Sequence, residues 1–316
     1  MPSKGFFTQG VVVFFSKQLE IADVAELLGD AATVTTIEEG TAPRSGPAVL
    51  IEFDAANGGV AALDLINSVW PDALGDPKND AKTFAEWSTG HFGPFAYPGG
   101  LTRATDYAWN WERASDHLAL QEAYVRIRIS YVFGKDKDVP LLPENYDPRA
   151  ELEYLTGLVQ KLLKHPAAIC YFNPNGEVLM TAAQLEASLQ FHSENDLPPL
   201  ETWSNIRLYN LDETWTLMDC VGNEQLDQPD HEAGFPRREF STDDVATFLR
   251  HATMHLLSHA DEIEDGDTSN GPGDIPWEGY HATDPLSDPP RRVIRWLPGG
   301  LEELPDMLLH GIKKKV

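Results

Sequence analysis

Four stretches of this 316-residue chain carry residues whose types and spacing can do chemistry. Trp70-Pro71-Asp72 has the letters of the mobile acid loop of tyrosine phosphatases, where an aspartic acid protonates the leaving group. That reaction also needs a cysteine nucleophile with an arginine at fixed spacing behind it. The chain's two cysteines open "CYFNPNG" (Cys170) and "CVGNEQL" (Cys220), and neither is followed by that arginine, so the phosphatase reading fails. Pro71 then reads as a turn residue and Trp70 as a plug into the core.

"HATMHLLSH" sets His251, His255 and His259 four residues apart, on one face of a helix, where two could hold a single metal ion. Alanine stands where a metalloprotease needs glutamate, and Val245, Phe248, Leu249, Ala252 and Leu256 form an apolar stripe that these histidines border. "EDGDTSNGPGD", Glu264 to Asp274, has the look of a calcium loop. Counted from Asp265, however, Asn270 falls where the loop needs glycine and Pro276 where it needs a bidentate glutamate. A non-standard divalent-cation site built on these carboxylates and a solvated acidic loop are both open readings. "PDHEAGF" supplies Asp230, His231 and Glu232, which could do acid-base work if they faced one pocket, although neighbouring side chains diverge in direction. A metal-dependent hydrolase using His231, Glu232, Asp265 and Asp267 is the enzymatic alternative that follows. There is no phosphate-binding loop, dinucleotide fingerprint or nucleophile elbow, so no cofactor is expected and the leading expectation is a protein without catalytic activity.

Charge is the strongest compositional signal. Lys and Arg number 24 against 50 Asp and Glu, a net charge of -26, which argues against nucleic acid as a direct partner. From Asp219 to Asp288 there are 17 acidic residues and three basic ones, Arg237, Arg238 and Arg250. Such a field attracts basic proteins and speeds their encounter, and it also serves solubility. The longest apolar run, Gly10 to Phe15, is a buried strand and far too short for a membrane span, and the first ten residues lack the pattern of a signal peptide. With only two cysteines, the reading is a cytoplasmic protein with no membrane partner.

The elements that must position these residues follow from hydrophobic period and turn chemistry. Val11 to Phe15 is a strand; Ile21, Val24, Ala25 and Leu28 recur at helical spacing; Ala48 to Phe53 and Val60 to Ile66 make a hairpin around Asn57-Gly58-Gly59. Thr102 to Leu118 reads as one helix bearing Trp109 and Trp111. "YVRIRISYVF" is a strand with Val125, Ile127 and Ile129 on one face and Arg126, Arg128 and Ser130 on the other. Those arginines read as partners of the protein's own carboxylates. The charged, proline-rich "GKDKDVPLLPENYDP" marks a domain boundary between residues 1–138 and 139–316. The second half offers a helix from Glu151, a strand from Ala167, a helix from Thr181, a hairpin over Asn205 to Cys220, a helix over Ser241 to His259 and a strand over Arg292 to Leu297. Both halves thus suggest strand, helix, hairpin, helix, strand. The expected class is α+β, as two tandem split-βαβ, ferredoxin-like units with antiparallel sheets. Each carries a long insert, Ser68 to Leu101 in the first and Val221 to Phe240 in the second.

"QGVVVFFS", "WPDALGDPK", "GHFGPFAYPGGLTRA", "CYFNPNGEVL", "LMDCVGNEQLDQPDHEA" and "PPRRVIRWLP" together resemble a proteobacterial family of proteins of unknown function. That resemblance implies the company of polymorphic toxin and type VI secretion genes, and with it the role of an immunity protein. The expectation is an acidic inhibitor that covers the active site of a basic toxin, such as a nuclease effector. Asp227, Asp230, Glu232, Glu264, Asp265 and Asp267 would supply charge and Phe92, Phe95 and Tyr97 aromatic anchors. An adaptor or chaperone for secreted cargo is a third reading.

Overall fold

The computed structural model describes residues 3–29, 33–37, 46–135, 138–259, 263–300 and 304–312. Strand β1 (Gln9–Phe15) is apolar on both faces, so it is buried throughout and lies inside a sheet. One edge pairs with β5 (Ala123–Ser130) and the other with β6 (Ala168–Asn173). Beyond β5 follow β4 (Gly59–Ile66), β3 (Gly46–Asp54) and β2 (Thr33–Ile37), and beyond β6 comes β7 (Val178–Met180), giving seven strands among the described residues, all paired antiparallel.

The alternation read in β5 sorts the two faces of this sheet. Val11, Val13, Leu63, Val125, Ile127 and Ile129 pack under α1 (Ile21–Leu28) and α5 (Pro148–Leu162). Val12, Phe14, Tyr124, Cys170 and Phe172 face the first insert, which contributes Trp70, Trp87 and Phe92 to their cluster. The insert has a helix of its own, α2 (Ala81–Ser88), started by Asp80, whose carboxylate accepts from the Thr83 N–H. The helix expected over Thr102 to Leu118 is two, α3 (Gly100–Asp106) and α4 (Ala114–Leu118), because the chain turns through Tyr107 and re-enters helix at Arg113 in the left-handed region, φ 59°.

The chain forms two compact units, Pro2–Trp203 and Ser204–Val316. The boundary expected between residues 138 and 139 therefore falls inside the first unit. The free edge of β1 accepts β6, and the β6–β7 hairpin is followed by α6 (Ala182–Asn195) and α7 (Leu200–Trp203), which all belong to the first unit. The α+β class is as expected, whereas the strand arrangement is not two copies of one split-βαβ unit. A seven-stranded sheet takes the first 203 residues, and a different, six-stranded sheet forms from the rest.

That second sheet runs in the order β11-β12-β13-β10-β9-β8. Its strands are β8 (Asn205–Asn210), β9 (Trp215–Val221), β10 (Asp230–Pro236), β11 (Asp267–Asn270), β12 (Pro276–Ala282) and β13 (Val293–Pro298). All pairs are antiparallel except β10 with β13, which the crossover through α8 (Thr242–Ser258) makes parallel. The apolar stripe of α8, with Val245, Phe248 and Leu249, covers Ala233, Phe235, Trp277 and Trp296 on one face of this sheet. A short C-terminal helix, α9 (Asp306–Leu309), buries Leu308. Among the described residues no helix is long and apolar enough to cross a membrane.

Candidate partner-binding surface and a buried charge network

The first insert is fixed by its own chemistry. Trp70 packs at 4.9 Å from Phe92, 5.3 Å from Tyr124 and 5.5 Å from Phe172, ring centre to ring centre. Asp72 accepts from the Leu101 and Thr102 N–H groups at 2.8 and 3.0 Å and from the Thr102 hydroxyl at 2.7 Å, capping α3 from thirty residues away. The tip closes on the β6–β7 turn: Asn175 accepts from the Phe95 N–H and donates to the Gly10 carbonyl, while Gly93, at φ 136°, leaves room that a Cβ would take from the Asn175 amide. Phe92 and Phe95 are buried in consequence, and Tyr97 is half-buried. The expected aromatic anchors are thus core residues in the case of Phe92 and Phe95, because the sheet face beneath them is apolar and would otherwise be bare.

Arg126 and Arg128 make the intramolecular pairs expected of them. Both reach Oδ2 of the fully buried Asp64, Arg126 at 3.2 Å, with Glu86 3.7 Å from Arg126. The Arg128 guanidinium lies 3.7 Å over the Phe7 ring.

The second sheet holds a larger network on the face away from α8. Arg207 on β8, Asp219 on β9, Glu232 on β10 and Arg295 on β13 are successive cross-strand partners, so their side chains form one row. Arg207 grips Asp219 with two hydrogen bonds, at 3.0 and 2.6 Å, and Arg295 Nε lies 3.0 Å from Glu232 Oε2. Arg291, from the loop before β13, bridges Asp219 at 2.5 Å and Asp230 at 2.9 Å. Arg295 also donates to the carbonyls of Leu308, His310 and Asp284, which ties the chain's last described segment over the sheet. All six charged groups are buried. Burial pushes the Asp230 carboxyl up to about 7 against the pull of Arg291, and it raises Glu232 as well.

This network corrects the expectation for Asp230 and Glu232. They lie on a strand, not in an exposed loop, and their charges are spent on arginines inside the protein, so neither can meet a partner. His231 points the opposite way, its Nδ1 3.3 Å from Trp296 Nε1, and burial depresses its pKa to about 3, so it stays neutral. His231 and Glu232 therefore diverge, and no group of three or more His, Cys, Asp or Glu residues is arranged to hold a metal ion among the described residues. The set His231, Glu232, Asp265 and Asp267 does not converge.

Of the other acidic candidates, Asp227, Glu264 and Asp267 are exposed and Asp265 is half-buried. Asp267 accepts from the Glu264 N–H and Asp265 from the His281 N–H, so "EDGDTSN" is a turn entering the β11–β12 hairpin. His251, His255 and His259 are exposed along α8, bordering its apolar stripe.

Sequence reasoning missed a concave feature of this unit lined by two carboxylates. An open cavity of about 370 Å³ lies between α8 and the residues after β11. Asp244, Thr247 and His251 form one wall, Asn270 to Asp274 the other, and Phe248 and Pro272 are buried apolar lining residues. Asp244 and His251 stand seven residues apart, two helical turns, which places them on one face of α8. Asp274 comes to the opposite wall through a left-handed backbone, φ 55°, next to Gly273. Elsewhere in this unit Asp227, Glu239, Asp243 and Asp267 are exposed, as are the basic groups Arg237, Arg238 and Arg292.

A family model described as "Domain of unknown function (DUF4261)" matches residues 219–297. No curated protein and no solved structure matches the chain. The matched segment opens at Asp219 and closes just past Arg295, so it contains both the cavity and most of the buried charge row.

Proposed function

We propose that this protein is a non-enzymatic, acidic binding protein of the immunity type, which acts in the cytoplasm by covering the basic surface of a toxin. The observation that carries the reading is where the charge resides. Arg207, Arg291 and Arg295 are consumed inside the second unit, leaving a surface on which carboxylates far outnumber cations. The cavity between Asp244 and Asp274 gives that surface a concave point where a lysine or arginine side chain can be neutralised on both sides over the Phe248 ring. A nuclease must present cations to bind phosphates, which is the surface complementary to this one.

Capture from the native host with a tagged full-length chain tests the reading. A basic protein is expected at about 50 mM salt and lost at about 500 mM, since exposed charge pairs are screened over that range. That protein, expressed alone, arrests growth, and co-expression of this chain relieves the arrest. The double variant Asp244→Asn, Asp274→Asn weakens capture about tenfold or more while leaving the circular dichroism spectrum unchanged. Recovery of no basic protein at low salt would sink the proposal.

A further inference from the structure

The turn that splits the helix expected over Thr102 to Leu118 places an aromatic side chain in solvent. Trp109 is 67% exposed. Its ring lies 6.1 Å from that of Tyr107, and two residues on the half-buried Trp111 stacks against His117 at 5.5 Å. The backbone beneath is tightly held. The Trp109 N–H donates to the Tyr107 carbonyl and the Trp111 N–H to the Ala108 carbonyl, both at 2.9 Å, and the Gln184 amide donates to the Asn110 carbonyl at 2.9 Å. A large ring kept mostly in water on an ordered turn, with Tyr107 and the half-buried Trp111 beside it, offers an aromatic surface that a partner could desolvate.

The rim states the chemistry of that partner. Asp106 and Glu112 are exposed beside the turn, while the nearby cations are engaged, Arg103 by Glu177 and Arg113 by Asp116. A neutral apolar partner would desolvate those carboxylates without pairing them. Nucleic acid and a second copy of this chain, itself at -26, would be repelled. A lysine- or arginine-bearing segment satisfies both features, stacking a cation on the indole and pairing with the rim.

We propose that the turn from Tyr107 to Arg113 is a docking surface for a cationic segment of a protein partner, with Trp109 as its anchor, resting on the reading above that the partner is basic. The test titrates the full-length chain with a nona-arginine peptide at about 150 mM salt, comparing wild type with Trp109→Ala and with Asp106→Asn, Glu112→Gln. Because these side chains are exposed, circular dichroism and melting temperature should not change. Affinity is expected to fall about tenfold for Trp109→Ala and less, with a shallower salt dependence, for the charge variant. Equal binding by wild type and Trp109→Ala overturns the surface while leaving a basic partner elsewhere on the molecule intact. No binding by wild type overturns the surface too, and capture from the host then decides separately whether the partner is basic. Concentration-dependent dimerisation in sedimentation that Trp109→Ala abolishes would assign the turn to a second copy and overturn the cationic partner.

Discussion

Glu151 shows how a single buried side chain ties stability to pH. It is fully buried near the start of α5, where the Thr8 and Tyr146 hydroxyls donate to its two carboxylate oxygens at 2.6 and 3.0 Å. Burial outweighs those donors and lifts its pKa from 4.5 to about 7. Between pH 4.5 and 7 the folded chain keeps this proton and the unfolded chain does not. The contribution is therefore complete below pH 4.5 and is lost as pH rises to 7, by about 3 kcal/mol at most. His231 works in the opposite sense, since its depressed pKa means stability is lost as pH falls from 6.5 towards 3, and Asp230 adds to the trend set by Glu151. Glu151→Gln is expected to flatten the dependence of melting temperature on pH between 5 and 8, with the variant closing on wild type as pH rises. Parallel curves for the two proteins would refute the assignment. At this scale the sequence is legible where side chains alternate: Arg126 and Arg128 could be assigned to one face of a strand and to internal carboxylates. Asp64, their actual partner, sits 62 residues away from Arg126 with nothing local to announce it. Asp72 likewise looked like chemistry because its role, capping a helix thirty residues on, is a property of the fold.

Among the elements, those with apolar periodicity were readable, and β10 was not. "DHEAGFP" carries charge, glycine and proline, and it presents only His231, Ala233 and Phe235 to the core, so it reads as a loop. It is a central strand because Arg291 and Arg295, on neighbouring segments, neutralise its polar face. The only hint was the placement of Arg295 within an apolar run, "RVIRWLP", since a buried arginine requires a buried acid. The pairing of β10 with β13 and the tether to the C-terminal segment both depend on that guanidinium. Arg295→Met takes its ion pair from buried Glu232, which keeps the Leu286 N–H, and frees the Leu308 and His310 carbonyls, so we expect a loss of about 3–5 kcal/mol in urea unfolding of the full chain. Adding Glu232→Gln removes the stranded charge and should restore part of that loss. A double variant no more stable than the single one would show that the carbonyl contacts, not the ion pair, hold these elements.

For the molecule as a whole, two kinds of charge coexist and respond differently to salt. The pairs of Arg207, Arg291 and Arg295 with Asp219, Asp230 and Glu232 are shielded from solvent, and mobile ions screen them little. The remaining excess, most of the -26, is carried by exposed carboxylates that repel one another. A surface like this stores unfavourable self-energy that a basic partner or added salt can relieve. Raising sodium chloride from about 20 to about 500 mM is therefore expected to raise the melting temperature of the free protein by roughly 2–4 °C, the size of a 1 kcal/mol gain for a domain of 150–250 residues. The same salt should weaken capture of a basic partner, so stability and binding move in opposite directions along one titration. The double variant Asp244→Asn, Asp274→Asn, with two fewer surface charges, should melt with a slightly smaller salt dependence. A melting temperature that falls with salt would mean that favourable exposed ion pairs dominate the surface, and it would remove the electrostatic basis for assigning this molecule a cationic partner.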